Sequence, residues 1–438
     1  MGLRAPRGTE DLLTEKYEQW IYLQHKAAEI FSRYGYTFIE TPLFEQVDVF
    51  VHGIGESTDV VSKEMFRVLS PDAYRKVSEG EASKLKHDQK LALRPEGTAS
   101  VVRAALEHNL IPQGSAPIKL MYAGQMFRAE RQQRGRLRQF HQIGAECLGA
   151  PDAMADAEVI IMLMEFFEAI GLEPASLRLL INTLGDDECR PNYREMVKQY
   201  ILDHADLLDE DCVRYAHTNP LRAFDSKNET CQKVMANAPL MKDYLCEDCR
   251  KHYEELRGYL DRAGVMYEED QKLVRGLDYY TRTVFEVQVL DGLGAQNAIG
   301  GGGRYDKLIE ISGGKPTPAL GFAVGMERIL LALEDQGKLP EFPRGNEIYV
   351  AFPDPAHKAK VFELVSTLRS HKFSVQTDYQ ERSLKSQLKL ANKQNARFVI
   401  IVGEEELKEQ SVTVKDMRSA CDERIKIDEL VNYLEQQA

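Results

Sequence analysis

The sequence predicts an α+β chain, and three observations carry the prediction. Residues 119–127 and 140–148 are strand-like runs joined by a polar loop, so they read as a long antiparallel hairpin. Between residues 183 and 264 the texture turns acidic and helical. Past residue 346 strand-like and helix-like runs alternate, as in a small α/β unit with a partly parallel sheet. The length of 438 residues agrees, at roughly 150 per domain, with about three domains.

Taken in order, residues 15–34 repeat Trp20, Leu23, Ala27, Ile30, Phe31 and Tyr34 at helical spacing, and Gly35 stops the helix. Residues 36–40 read as a strand broken by Pro42. A short strand at 90–93 enters Arg94-Pro95-Glu96-Gly97-Thr98, where Thr98 is placed to cap a helix over 99–109. After the hairpin, a helix over 156–170 ends at Gly171. Strand texture returns at 273–290, ahead of a glycine run at 300–303, a strand at 318–325 and a helix at 326–336. Residues 337–345, rich in Gly and Pro, read as a linker. Beyond it come strands at 347–352, 373–377, 398–402 and 411–415, with helices at 357–371, 383–394 and 428–437. The expected domains are therefore 1–182 with 265–336, an inserted helical domain at 183–264, and a C-terminal domain at 346–438.

Composition narrows the function. With 43% hydrophobic and 29% charged residues the chain is globular rather than disordered. Apolar runs such as 159–164 are far too short to span a membrane. No apolar run follows Arg4 and Arg7, so no secretory signal is expected. Seven scattered cysteines suit a reducing cytoplasm better than a disulfide scaffold. The net charge of −13 disfavours indiscriminate nucleic-acid binding but permits local basic patches.

The hairpin carries the strongest chemical signal. Arg128, Arg131, Arg134, Arg136 and Arg138 crowd its loop in an acidic protein, and arginine suits bidentate phosphate contact. Gln142, Gly144 and Glu146 follow at a spacing of two and so share one strand face, polar where a core strand would be apolar. Ala319, Gly321, Ala323 and Gly325 likewise leave one strand face bare. Arg328 then stands in the first turn of a helix, where its charge opposes the helix dipole. Glu96 and Thr98 read either as first-turn capping groups or as a carboxylate and hydroxyl for a ligand ammonium. Arg275 and the pair Tyr279-Tyr280 offer a cation and two hydroxyl-tipped walls. The run Gly300-Gly301-Gly302-Gly303 lacks the lysine of a phosphate-binding P-loop and marks close backbone approach or a flexible loop. In the C-terminal domain Arg382, Lys385, Lys389, Lys393 and Arg397 form a basic stripe, readable as a polyanion contact or a solvated helix face. Cys246 and Cys249 form a lone Cys-x-x-Cys, either two zinc ligands or inert thiols.

Together these peptides resemble a known family. Phe127-Arg128-Ala129-Glu130 with its arginine loop resembles motif 2 of class II aminoacyl-tRNA synthetases. Residues 321–328 resemble motif 3, and residues 36–44 around Pro42 resemble the dimer-forming motif 1. Arg275-Gly276-Leu277-Asp278-Tyr279-Tyr280 and Gly301-Gly302-Gly303-Arg304-Tyr305-Asp306 resemble the two signature peptides of the histidyl-tRNA synthetases. The resemblance implies a core on a mainly antiparallel six-stranded sheet, a C-terminal anticodon-binding domain and a homodimer. It implies that Glu96, Gly97, Thr98, Gln142, Glu146, Tyr279, Tyr280 and Tyr305 surround histidine. Arg128, Glu130, Arg136, Arg275 and Arg328 would bind ATP, with Arg275 and Arg128 catalytic and Mg²⁺ assisting. Gln133 would approach the acceptor end of tRNA(His).

The implied chemistry needs no protein nucleophile, only alignment and charge stabilisation at the α-phosphorus. The competing expectations are a histidine-sensing regulatory subunit of ATP phosphoribosyltransferase, which usually lacks the anticodon domain, and an inactive tRNA-binding module. Intact signature peptides and the residues beyond the linker favour the enzyme.

Overall fold

Chain order sets out the strands of the first unit: β1 (Thr37–Phe38), β2 (Phe44–Gln46), β3 (Arg67–Val68), β4 (Leu91–Leu93), β5 (Ile118–Phe127) and β6 (Gln139–Leu148). β7 (Leu177–Thr183), β8 (Glu268–Glu269), β9 (Thr281–Val289), β10 (Ala298–Arg304) and β11 (Ala319–Gly325) follow. They belong to a computed structural model describing residues 3–437 except 56, 57, 112, 113, 115, 227, 276, 292, 294–296, 343–346 and 420. Gly276 and the last three linker positions, 343–345, lie outside the described residues. The chain divides into two units, Met1–Pro340 and Glu341–Ala438.

The larger sheet of the first unit has the order β1-β5-β6-β11-β10-β9-β7-β8, and β2-β4-β3 form a small antiparallel sheet. Eight strands stand where the resemblance implied six. The six long ones are all antiparallel to their neighbours, and the two-residue strands β1 and β8 add parallel edges. Such short edges leave little backbone free for pairing with other chains.

Alternation along the strands gives the sheet two unlike faces. Ile143, Ala145 and Cys147 of β6, Phe285 and Val287 of β9, and Phe322 and Val324 of β11 point into one hydrophobic core. Helices Glu15–Arg33, Ala153–Ala169 and Met326–Asp335 cover that face with Trp20, Leu23, Phe31, Phe166, Ile329 and others. Each fully buried side chain of this size contributes about 1.5–3 kcal/mol. The opposite face keeps the small and polar residues.

Two local expectations change, and one open alternative is decided. The described residues among 273–280 are not strand, and β9 begins only at Thr281. Gly300–Gly303 is the interior of β10, not a loop: a Cβ at Gly301 would stand 2.6 Å from the Phe285 carbonyl oxygen of the neighbouring strand. Thr98 does not cap its helix. It is the first residue of helix Thr98–Glu107, and the Glu96 carboxylate does the capping by accepting from Thr98 N (2.8 Å) and Ala99 N (2.9 Å).

Between β7 and β9 the chain forms helices Arg190–Asp203, Glu210–His217, Glu229–Met235 and Glu247–Arg262. The first three share a small core with Tyr193, Val197, Cys212 and Met235. The fourth sends Tyr253, Leu256 and Leu260 into the main core instead.

The second unit contains β12 (Ile348–Ala351), β13 (Val375–Thr377), β14 (Phe398–Ile401), β15 (Ser411–Asp416) and β16 (Asp422–Lys426). Their order is β13-β12-β14-β15-β16, parallel at the first three and antiparallel beyond. The basic stripe is shorter than expected. Lys385, Lys389 and Lys393 are exposed on helix Leu384–Lys393, but Arg382 pairs with the buried Asp378 at 2.7 Å and Arg397 lies over the Phe398 ring. Among the described residues no helix is long and apolar enough to cross a membrane.

Candidate active site

The open face of the larger sheet is paved by strand register. Tyr122, Gly144, Ala323, Gly301 and Glu286 stand opposite one another across β5, β6, β11, β10 and β9. In the next row stand Leu120, Glu146, Gly321, Gly303 and Val284. The glycines are required by what lies over them: a Cβ at Gly97 or Gly144 would overlap the Tyr122 ring, and one at Gly321 would overlap Glu146. Above this floor lies a cavity of about 950 Å³.

Glu146 is completely buried one layer below the cavity and does not line it. Its Oε1 accepts from Thr98 Oγ1 at 2.7 Å and from the Tyr122 hydroxyl at 3.3 Å, and its Oε2 accepts from the Tyr305 hydroxyl. Burial pushes its carboxyl up to about 8, with the Tyr305 and Thr98 donors pulling the other way. Thr98 and Tyr305 do line the cavity. With Glu146 ionised, each spends its one proton on it, so toward the cavity both present lone pairs only. Gln142 Oε1 is a further buried acceptor without a partner among the described residues. This end of the cavity therefore favours a ligand rich in N–H donors. Tyr279 and Tyr280 wall it, with ring centroids 4.7 Å apart, and Tyr279 meets the Tyr305 ring edge-on at 5.4 Å.

The other end is cationic. Arg128 Nε donates to the Pro95 carbonyl at 2.9 Å while its guanidinium lies 5.2 Å from the Phe140 ring centre. Arg136 pairs with Glu130 at 3.1 Å. Arg275 pairs with Glu286, and Arg328 donates to the Ala298 carbonyl. All four arginines line the cavity, as do Glu96 and Glu130. Guanidinium groups held by fixed partners are suited to phosphate oxygens. Burial raises the Glu96 carboxyl above the ordinary carboxylate range.

The structure thus brings most of the expected site residues around one space. Gly97 lies beneath the Tyr122 ring rather than on the cavity wall, and Gln133 is exposed on the hairpin loop, where its N–H donates to the Arg136 carbonyl at 3.1 Å. Cys246 and Cys249 lie outside the cavity.

The histidyl-tRNA synthetase family model matches residues 8–329. The chain belongs to the histidyl-tRNA synthetase family. An anticodon-binding domain model matches residues 347–437. The histidine--tRNA ligases of Desulforamulus reducens and Caldanaerobacter subterraneus are 43% and 44% identical to this chain, each over 98% of both sequences. The solved apo histidyl-tRNA synthetase of S. aureus superposes with a TM-score of 0.81 at 33% identity, covering 99% of each chain.

Three residues in or beneath this cavity carry no assignment from the sequence alone. Tyr122 holds Glu146 and covers two glycines, Phe140 supports Arg128, and Glu286 orients Arg275. Tyr122 had a signal, since the hairpin alternation puts it on the face of Gly144. Glu286 had one too, as a lone acid in the apolar strand β9.

Proposed function

We propose that this chain activates L-histidine with ATP and transfers it to tRNA(His), with the lone-pair end of the cavity taking the amino acid and the arginine end taking the nucleotide. One observation carries the reading: with Glu146 ionised, the hydroxyl protons of Thr98 and Tyr305 are committed to it, which leaves acceptors facing the ligand. The histidine ammonium would donate to Thr98, Gln142 and Glu96, and the imidazole N–H would meet Tyr305, which Glu146 holds from below, beside Tyr279 and Tyr280. An amino acid without a ring N–H leaves buried acceptors unpaired, which supports discrimination without editing.

In the first step a histidine carboxylate oxygen attacks the α-phosphorus, and the bond to the leaving pyrophosphate breaks. Arg128 and Arg275 would stabilise charge at the α-phosphate, and Arg136 and Arg328 would hold the outer phosphates. Glu130, an acid among these arginines, would hold Mg²⁺, which would supply further charge neutralisation when bound. In the second step a terminal ribose hydroxyl of the tRNA attacks the acyl carbonyl, its proton is lost, and AMP leaves. Gln133, exposed on the hairpin loop, would meet the acceptor end.

Residues 346–438 would read the anticodon, with 337–345 as linker and 183–264 as an insertion into a catalytic core of 1–182 and 265–336. A homodimer through residues 36–44 is supported by the exposure of Phe38, Leu43 and Phe44 at 60%, 42% and 53%. The free cysteines suit the cytoplasm. The anticodon-type unit disfavours the regulatory-subunit alternative. ATP–pyrophosphate exchange run with each of the twenty amino acids tests the reading. Exchange with histidine alone is expected, and its absence in folded, Mg²⁺-supplied protein would overturn it.

A further inference from the structure

Away from the cavity, the fold gathers four side chains that lie far apart in the sequence. Asp186, Cys189, Cys246 and Cys249 each offer one donor atom, and the four atoms lie within 4.8 Å of one another. They come as two pairs with the same spacing, Asp186-x-x-Cys189 and Cys246-x-x-Cys249. Paired short spacings and a four-donor, sulfur-rich set are what tetrahedral structural zinc uses. We propose that these four residues bind one structural zinc ion.

The surroundings are built for it. Cys189 immediately precedes helix Arg190–Asp203, and Cys246 immediately precedes helix Glu247–Arg262, whose first turn holds Cys249. Helix N-termini favour thiolates. Cys189 and Cys249 are buried while Asp186 and Cys246 are part-exposed, which leaves an entry side. Gly185 has φ +66°, and a Cβ there would stand 2.1 Å from the Met241 methyl and 2.6 Å from Cys189 Sγ, so both side chains pack against this bare position. The ligand carboxylate is itself held: Asp186 Oδ2 accepts from Arg282 at 3.0 Å, and Oδ1 accepts from Glu188 N at 3.1 Å. Second partners of this kind orient ligands. The Arg282 cation also offsets the negative charge left when three thiolates and a carboxylate surround a doubly charged ion. Binding exchanges three thiol protons for the metal, with no change of oxidation state.

The ion would staple the helical excursion to the wall of the cavity. Arg190, next to Cys189, donates to the carbonyls of Gly185 (3.1 Å) and Tyr280 (2.6 Å). Arg282 follows Tyr280 by two residues and exchanges backbone hydrogen bonds with Gly185 and Leu184.

A second group, Asp209, Cys212 and Cys231, offers three donors and serves as an internal control. Full-length protein made with zinc supplied and purified without chelator should contain stoichiometric zinc, and cobalt(II) exchanged into it should show sulfur-to-metal charge transfer. Cys189→Ser and Cys246→Ser should lose the metal, whereas Cys212→Ser should keep it. Metal-free wild-type protein, or loss in Cys212→Ser with retention in Cys189→Ser, would overturn the proposal. Should the variants fail to fold, cobalt in the unaltered chain still decides, because a spectrum without thiolate charge transfer overturns it equally.

Discussion

Thr98 Oγ1 lies 2.7 Å from Glu146 Oε1, and that contact joins the first turn of a helix to a carboxylate sealed beneath the sheet's open face. The carboxyl is held in a place where its charged form is costly, and pH exposes the cost.

Burial raises the pKa of Glu146 from 4.5 to about 8. Between those values the folded chain holds more protons at this site than the unfolded chain, so its contribution to stability is full below pH 4.5 and is lost as pH rises toward 8. The slope reaches about 1.4 kcal/mol per pH unit. Urea unfolding at pH 5 and pH 8 should show Glu146→Gln to be less pH-dependent than wild type. Parallel profiles would remove the assignment.

Arg275→Ala should cut histidine-dependent exchange by about 10²–10³-fold, the usual effect of losing one transition-state charge partner. The fold should survive, because Glu286 keeps its hydrogen bond from Gln288 at 2.9 Å. Near-normal exchange in a folded variant would take Arg275 out of the reaction.

Gly144→Ala would drive a methyl group into the Tyr122 ring. Overpacking of this kind costs about 1–3 kcal/mol. Denaturant unfolding should register the loss together with a raised KM for histidine, and an unchanged protein would mean that Tyr122 is free to move.

Arg304 is completely buried, paired with Asp156 at 3.0 Å, and Asp156 in turn accepts from His252. Arg304→Ala takes away that buried carboxylate's arginine and leaves it only His252 and Thr283, at about 3–5 kcal/mol. A drop in midpoint much smaller than this would mean that Asp156 finds another donor.

Replacing Lys385, Lys389 and Lys393 together by Ser should weaken tRNA charging and flatten its salt dependence while leaving exchange untouched. Equal loss in both assays would refute a nucleic-acid role for that helix face.

Much of the site was legible because strand alternation is local. Gln142, Gly144 and Glu146 were assigned one face, and so were Gly321 and Gly325, from sequence spacing alone; the structure aligns the two sets as Gln142 opposite Gly325 and Glu146 opposite Gly321. What sequence could not supply was registration between distant strands. Arg275 meeting Glu286, and Cys189 reaching Cys249, depend on how far segments slide before they pair. The Thr98 cap was misread for another reason: two capping side chains compete there, and the longer Glu96 reaches both free N–H groups while Thr98 turns to Glu146.

Thr183 of β7 faces Thr283 of β9 across one ladder, so topologically the whole helical excursion is the turn of a hairpin. The entropy of closing a turn rises only with the logarithm of its length, about 0.6 kcal/mol per doubling. Chain closure therefore sets almost no limit on the length of the outer helices, Arg190–Asp203, Glu210–His217 and Glu229–Met235, whereas Glu247–Arg262 is tied down by Tyr253, Leu256 and Leu260 in the main core.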